Sequence, residues 1–174
     1  MEYVNQGGNV DVSSFTPQQM NTLRKVFHAG NRFMVWMWKM GWGKFINIWP
    51  VGFGRIMVIK HRGRKSGREY LTPVNYAIVD GEIYCTAGFG SISDWYRNML
   101  AYPRVELWLP GGKMWFCAED ISDSPRRLFL LRQVIIASGF AGPLFGINPK
   151  KLDDARLDAV SKDYRLVHFS KETS

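Results

Sequence analysis

Short runs rich in β-branched and aromatic residues recur along this chain, separated by turn-forming residues, and each predicts a strand: Arg55 to His61, Glu69 to Val79, Glu82 to Ala87, Arg104 to Leu109, Lys113 to Ile121 and Tyr164 to Phe169. Asp80-Gly81 and Pro110-Gly111-Gly112 are the hairpin turns within this series. The first run alternates imperfectly, with Ile56 and Val58 set against Arg55, Met57, Ile59 and Lys60. Helical spacing appears elsewhere. Thr16-Pro17-Gln18-Gln19 supplies an N-cap, a proline at the first helical position and a capping box for a helix to about Lys39. Leu23, Phe27, Met34 and Trp38 line that helix, and a break is expected around Gly30 and Asn31. Ser93 caps a short helix to Leu100 that Pro103 stops. Asp123-Ser124-Pro125 opens another to about Ser138, closed by Gly139, and Asn148-Pro149 caps a last one to about Val160.

Two hairpins, a late sixth strand and helices at the edges predict an α+β protein built on a small, mostly antiparallel β-barrel, closed or partly open. The change of pattern after Pro50 suggests a helical extension over residues 1–50, packed on or beside a barrel over residues 51–174. No alternating βαβ pattern occurs, and no Gly-x-Gly-x-x-Gly follows a strand into a helix.

Composition narrows the function. The 174 residues, 46% of them hydrophobic, suit one globular domain. A net charge of +8 favours anionic partners such as phosphorylated cofactors, acidic headgroups or nucleic acid without choosing among them. Cys85 and Cys117 match neither a disulfide framework nor a zinc motif and are expected to be reduced core residues. His28, His61 and His168 are scattered without metal spacing and read as structural; no metal is expected. No Ser-His-Asp set or paired carboxylate stands out. Met1 to Ser14 carries no leader-like pattern, so a cytoplasmic location is expected. Phe33, Trp36, Trp38, Trp42 and Trp49 beside Arg32, Lys39 and Lys44 are too short an apolar run to span a bilayer, but suit peripheral membrane contact, the wall of an apolar substrate pocket, or burial against the barrel.

The densest chemistry lies in His61-Arg62-Gly63-Arg64-Lys65-Ser66-Gly67-Arg68, a turn between the first two strands. Two glycines let backbone N–H groups turn inward as an anion nest, while the cations supply charge, and from Arg55 to Arg68 there is no carboxylate. A solvated hairpin tip and a nucleic-acid patch are the competing readings; the aromatics nearby form no stacking platform for nucleic acid, and none is expected as a partner.

Gly63-Arg64-Lys65-Ser66-Gly67 is followed by Thr72-Pro73-Val74-Asn75, the Asp80-Gly81 hairpin, Asp94-Trp95-Tyr96-Arg97-Asn98 and Pro103-Arg104-Val105. In this order and spacing the set resembles the deazaflavin-dependent nitroreductase family, over roughly Arg55 to Ile121. The resemblance implies a split β-barrel of the FMN-binding-protein type and bound coenzyme F420, with hydride transfer to a small electrophilic substrate. It implies that Arg64, Lys65 and Ser66, in the turn closed by Gly67, contact the phosphate and acidic tail. Pro73, Val74 and Asn75 would lie along the ring, Thr86, Ala87 and Gly88 on its opposite side, and Asp94, Trp95 and Asn98 would close the pocket. Phe89 stands where some members carry a lysine and Tyr70 where some carry an arginine, a charge that Arg62 or Arg68 can replace. The proton would come from solvent or from Tyr76, Tyr84 or Tyr96. FMN in the same pocket and a non-catalytic cofactor- or lipid-binding protein are the alternatives. Neither the substrate's identity nor the oligomeric state is legible.

Overall fold

A computed structural model describes residues 30–43, 54–139 and 152–172. Six strands, β1 (Ile56–Arg62), β2 (Glu69–Val79), β3 (Glu82–Ala87), β4 (Arg104–Leu109), β5 (Gly112–Asp120) and β6 (Arg165–Lys171), close into a barrel in the order β1-β2-β3-β6-β5-β4. Every neighbouring pair is antiparallel. The helical segments are α1 (residues 30–39), α2 (Asp94–Ala101), α3 (Arg127–Ala137) and α4 (Asp154–Val160).

Alternation along the strands sends one set of side chains inward. Met57, Ile59, Tyr76, Cys85, Leu107, Phe116, Val167 and Phe169 are among those that fill the barrel, with Tyr96 and Met99 of α2 packed into the same core. That places α2 over one end of the barrel, the end where β1 turns into β2 and where β3 stops. Outside, Leu130 and Val134 of α3 pack on Ala77, Tyr84 and Leu166, and α4 adds Leu157 against Leu131 and Ile135. Trp38 of α1 packs on the outward-facing Val58 and Trp108. This explains the poor alternation of β1: Ile56 to Ile59 are all buried, because one face meets the core and the other meets α1.

Several sequence expectations need correction. Cys117 is exposed while Cys85 is buried, because Phe116 and Ala118 take the inward positions on β5. Gly30 and Asn31 are both helical and open the first described helix, and the residues before them, across which the break was expected, lie outside the described residues. The last helix begins at Asp154, with the Asp153 carboxylate accepting from the Arg156 N–H at 2.7 Å; the expected cap Asn148 lies outside the described residues. Ser93 occupies the N-cap position of α2 without bonding through its side chain. α3 starts at Arg127, after a turn over Ser124 to Arg126. β1, β5 and β6 are shifted by one or two residues from their expected bounds. Thr16 to Ala29 and the boundary expected near Pro50 also lie outside the described residues.

Candidate functional site

The basic turn is closed by its own backbone. Gly63 N–H donates to the Arg68 carbonyl and Gly67 N–H to the Gly63 carbonyl, each at 2.8 Å, and Gly67 takes φ 67°, a conformation that glycine reaches without a Cβ clash. Inside the turn the Ser66 hydroxyl is shared with the Tyr70 hydroxyl at 3.0 Å and with Arg68 N–H at 3.3 Å.

α2 holds this turn from the side. Asn98, buried on that helix, accepts from both Arg64 N–H and the Arg64 guanidinium at 3.0 Å, while the same guanidinium donates to Asp94 at 3.0 Å. Asn98 then donates through Nδ2 to His61 Nδ1 at 3.4 Å. His61 is therefore protonated on Nε2 and donates to Thr72 Oγ1 at 3.0 Å. One chain of bonds thus runs from the turn through α2 to β1 and β2. Burial lowers the His61 pKa to about 4, so the ring is neutral here. Lys60 is engaged by Glu69 at 2.9 Å and Glu106 at 3.6 Å. Arg62 lies over the Tyr102 ring, 5.0 Å from its centre. Lys65 and Arg68 are exposed and have no ion pair among the described residues.

Beside the turn, β2 outruns its neighbour. Its register with β1 extends from Asn75 to Glu69, whereas its register with β3 begins only at Tyr76↔Cys85. Gly63 and Arg68 form a hydrogen-bonded pair, as does Tyr76 N–H with the Arg55 carbonyl, so even-numbered β2 residues bond toward β1 and odd-numbered ones face the other way. Pro73 is in regular register with Val58 and faces its missing N–H to the β3 side, where β2 has no neighbour at this point. Val74 packs on the core, and the Asn75 side chain donates to the Arg55 carbonyl at 3.3 Å. Across the split, Thr86 is half-buried, Ala87 buried, and Gly88 and Phe89 exposed. Gly90 anchors this loop: with φ 63° and an added Cβ only 2.4 Å from the Asp163 carbonyl oxygen, it permits close approach to the segment before β6.

The inward face of the same barrel end carries charge. Tyr96 of α2 donates to Asp120 Oδ2, and Asp120 Oδ1 accepts from Ser122 N–H at 2.8 Å and from its hydroxyl at 2.5 Å. Burial alone would raise the Asp120 pKa, but the bonds from Ser122 and Tyr96, with the nearby Arg165, hold it below the usual carboxylate value. Burial, then the bond to Asp120, pushes Tyr96 up to about 12. Tyr96 thus keeps its proton and directs it at Asp120. Tyr76 is likewise raised by burial.

The structure brings together the turn, Asp94 and Asn98, and sets Pro73, Val74 and Asn75 on the strand next to Thr86, Ala87 and Gly88. Trp95 is half-buried against the barrel core. Sequence reasoning missed the linking role of His61 and the cluster of Tyr96, Asp120, Ser122 and Arg165. The one available signal was Arg165 itself, which opens the inward series continued by Val167 and Phe169. Among the described residues no cluster of His, Cys, Asp and Glu could hold a metal.

Residues 31–141 match the family described as F420H(2)-dependent quinone reductase. The chain belongs to that family. The family's description names F420 as its coenzyme and reduction of a quinone as its activity. Among solved structures, a protein of unknown function from Agrobacterium tumefaciens is 20% identical with a TM-score of 0.49, covering 69% of this chain and 49% of its own length. This chain therefore spans about half of that protein. A conserved hypothetical protein from Mycobacterium tuberculosis is 21% identical at 0.48, covering 68% of this chain and 73% of its own. An F420-H2 dependent reductase, FDR-A, is 15% identical at 0.48, covering 66% and 93%. No curated protein matches. The F420-reductase family's coenzyme is polyanionic at one end and planar at the other. The exposed cations of the turn and the β2 edge beside the split suit those two ends.

Proposed function

We propose that this family member reduces a small, apolar, electrophilic substrate of the quinone class, holding F420 between the basic turn and the split beside β2. The observation that carries this reading is the joint placement of exposed Lys65 and Arg68 next to a β2 segment that extends past β3, with α2 fixing both through Asn98 and His61. Arg62, Lys65, Arg68 and the backbone of Ser66 and Gly67 would meet the phosphate and acidic tail. Arg64, already tied to Asp94 and Asn98, would hold the turn in shape and lend it charge. Pro73, Val74 and Asn75 would lie along the ring, with Thr86, Ala87, Gly88 and Phe89 opposite and Trp95 closing the pocket. When bound, F420 supplies the hydride. The chain's own work is to orient the two reactants and keep water out. No observation favours FMN over F420.

Titration of the whole chain with F420, followed by fluorescence, tests this. F420 is expected to bind more tightly than FMN at matched salt, and Lys65→Ala is expected to raise the dissociation constant about tenfold through one lost, partly screened charge-assisted bond. Melting temperature is expected to stay within about 1 °C, because Lys65 is a surface residue. Equal affinity for FMN, or no loss in Lys65→Ala, would count against the reading.

The outer face of α1 and of the turn that follows it bears on the substrate. Phe33, Trp36, Met40 and Trp42 are each at least half exposed, and Trp36 sits 6.0 Å from Phe33 and 6.4 Å from Trp42, ring centre to ring centre. Such an aromatic face beside Arg32 and Lys39 suits contact with an anionic membrane surface, where apolar acceptors partition. No helix among the described residues is long and apolar enough to cross a membrane. The whole chain is expected to co-sediment with anionic vesicles more than with neutral ones, and Trp36→Ser with Trp42→Ser to abolish the difference. Equal recovery of both proteins in the supernatant would rule the contact out.

A further inference from the structure

Arg165 is a cation aimed into the barrel. It opens β6 and pairs in register with Ala87, whose side chain faces the core, so Arg165 shares that inward face at the end capped by α2. The side chain as a whole is half-buried, and within it Nε is sealed from solvent without a hydrogen-bond partner. Asp120 is close enough to feel its charge, yet that carboxylate is already occupied by Tyr96 and Ser122. A sealed Nε–H left without a partner is costly, so its persistence suits an acceptor that arrives from outside and meets the guanidinium fork beside it. The neighbouring β3 residues are Thr86 and Ala87, which the functional reading places against the reacting ring.

We propose that Arg165 is the donor for the acceptor oxygen of a quinone, with Asp120 and Tyr96 as positioning residues that fix its setting. This rests on the quinone-class reading above. Hydride from reduced F420 adds two electrons to the quinone and leaves a hydroquinone anion; solvent supplies the proton that completes the hydroquinone, and the coenzyme is left oxidised. The negative charge develops on a ring oxygen. A planar, permanently charged fork at the α2-capped end of the barrel stabilises such an oxygen more than it does the neutral carbonyl, which is the condition for speeding the step rather than merely binding substrate. A purely structural Arg165, serving only to balance Asp120, would need charge alone. Lysine could then replace it.

The test uses the whole chain with two probes. In the 15N-labelled protein, the protected Nε–H signal that vanishes in Arg165→Lys is expected to shift and saturate on adding benzoate, a planar carboxylate that mimics the anionic oxygen. With menadione as acceptor, Arg165→Lys is expected to lose about 100-fold in kcat/KM, mostly in kcat, while its F420 dissociation constant stays within about threefold and its melting temperature near that of wild type. The proposal fails if the Nε–H signal stays put, or if Arg165→Lys turns over menadione as wild type does. Failure of wild type to bind F420, with the benzoate shift present, would instead overturn the functional reading and leave an oxyanion site standing at Arg165.

Discussion

Replacing Asn98 with alanine is expected to cost the fold about 3 kcal/mol and to weaken F420 binding as well. Asn98 is 6% exposed and satisfies three groups at once: the Arg64 backbone N–H, the Arg64 guanidinium and His61 Nδ1. Alanine leaves a shielded N–H and an imidazole nitrogen without partners, and each unmet buried group costs roughly 1–3 kcal/mol. The turn also loses its tie to α2, so its cations are no longer held in one place before the ligand arrives, and pre-organisation contributes directly to affinity. Chemical denaturation beside an F420 titration separates the two effects. An Asn98→Ala protein with wild-type midpoint and wild-type affinity would show that the link carries no weight. Asn98→Asp retains an acceptor for Arg64 but loses the donor to His61, and is expected to fall between the two.

Acid is expected to remove about 3 kcal/mol of stability through His61 alone. Its folded pKa of about 4 lies well below the roughly 6.5 of an unfolded histidine. Between those values the unfolded chain binds a proton that the folded chain refuses, so stability is full above about pH 6.5 and drains away as pH falls toward 4. A gap of that size, at about 1.4 kcal/mol for each pH unit, gives the figure. Denaturation midpoints measured at intervals from pH 7.5 to 4 should trace this slope. His61→Gln, though less stable throughout, should flatten it. A wild-type slope equal to that of His61→Gln would place the acid sensitivity elsewhere.

What the sequence discloses is mostly local. β2, β3 and β4 have the expected bounds because Asp80-Gly81 and Pro103 leave the chain few choices, and the basic turn was evident from its charge and glycines. Cys117 was misplaced because β5 is too exposed for its inward face to stand out from the residues alone. At the start of α4 the capping signal was Asp153, whose carboxylate accepts from the Arg156 N–H, while Asn148-Pro149 lies outside the described residues. Contacts between distant positions left no trace in the sequence pattern: His61 and Asn98 stand 37 residues apart, and nothing in the spacing of either betrays the bond. The same holds for Tyr96 with Asp120. Neither residue is unusual where it stands, and only the closure of the barrel brings the phenol to the carboxylate.

The position of β6 between β3 and β5 has a consequence for how the molecule comes into being. Synthesis delivers β1 through β5 first, and these form an incomplete sheet whose two open edges, β3 and β5, wait for a strand made some 80 residues after β3. Joining so distant a partner is slow, because the long loop must close before any contact rewards it. Until then both edges offer unpaired backbone to neighbouring nascent chains. A shortened chain ending before Arg165 should therefore self-associate through those edges, whereas a free peptide carrying Arg165–Lys171, supplied in excess during synthesis, should suppress the aggregation by taking the vacant place.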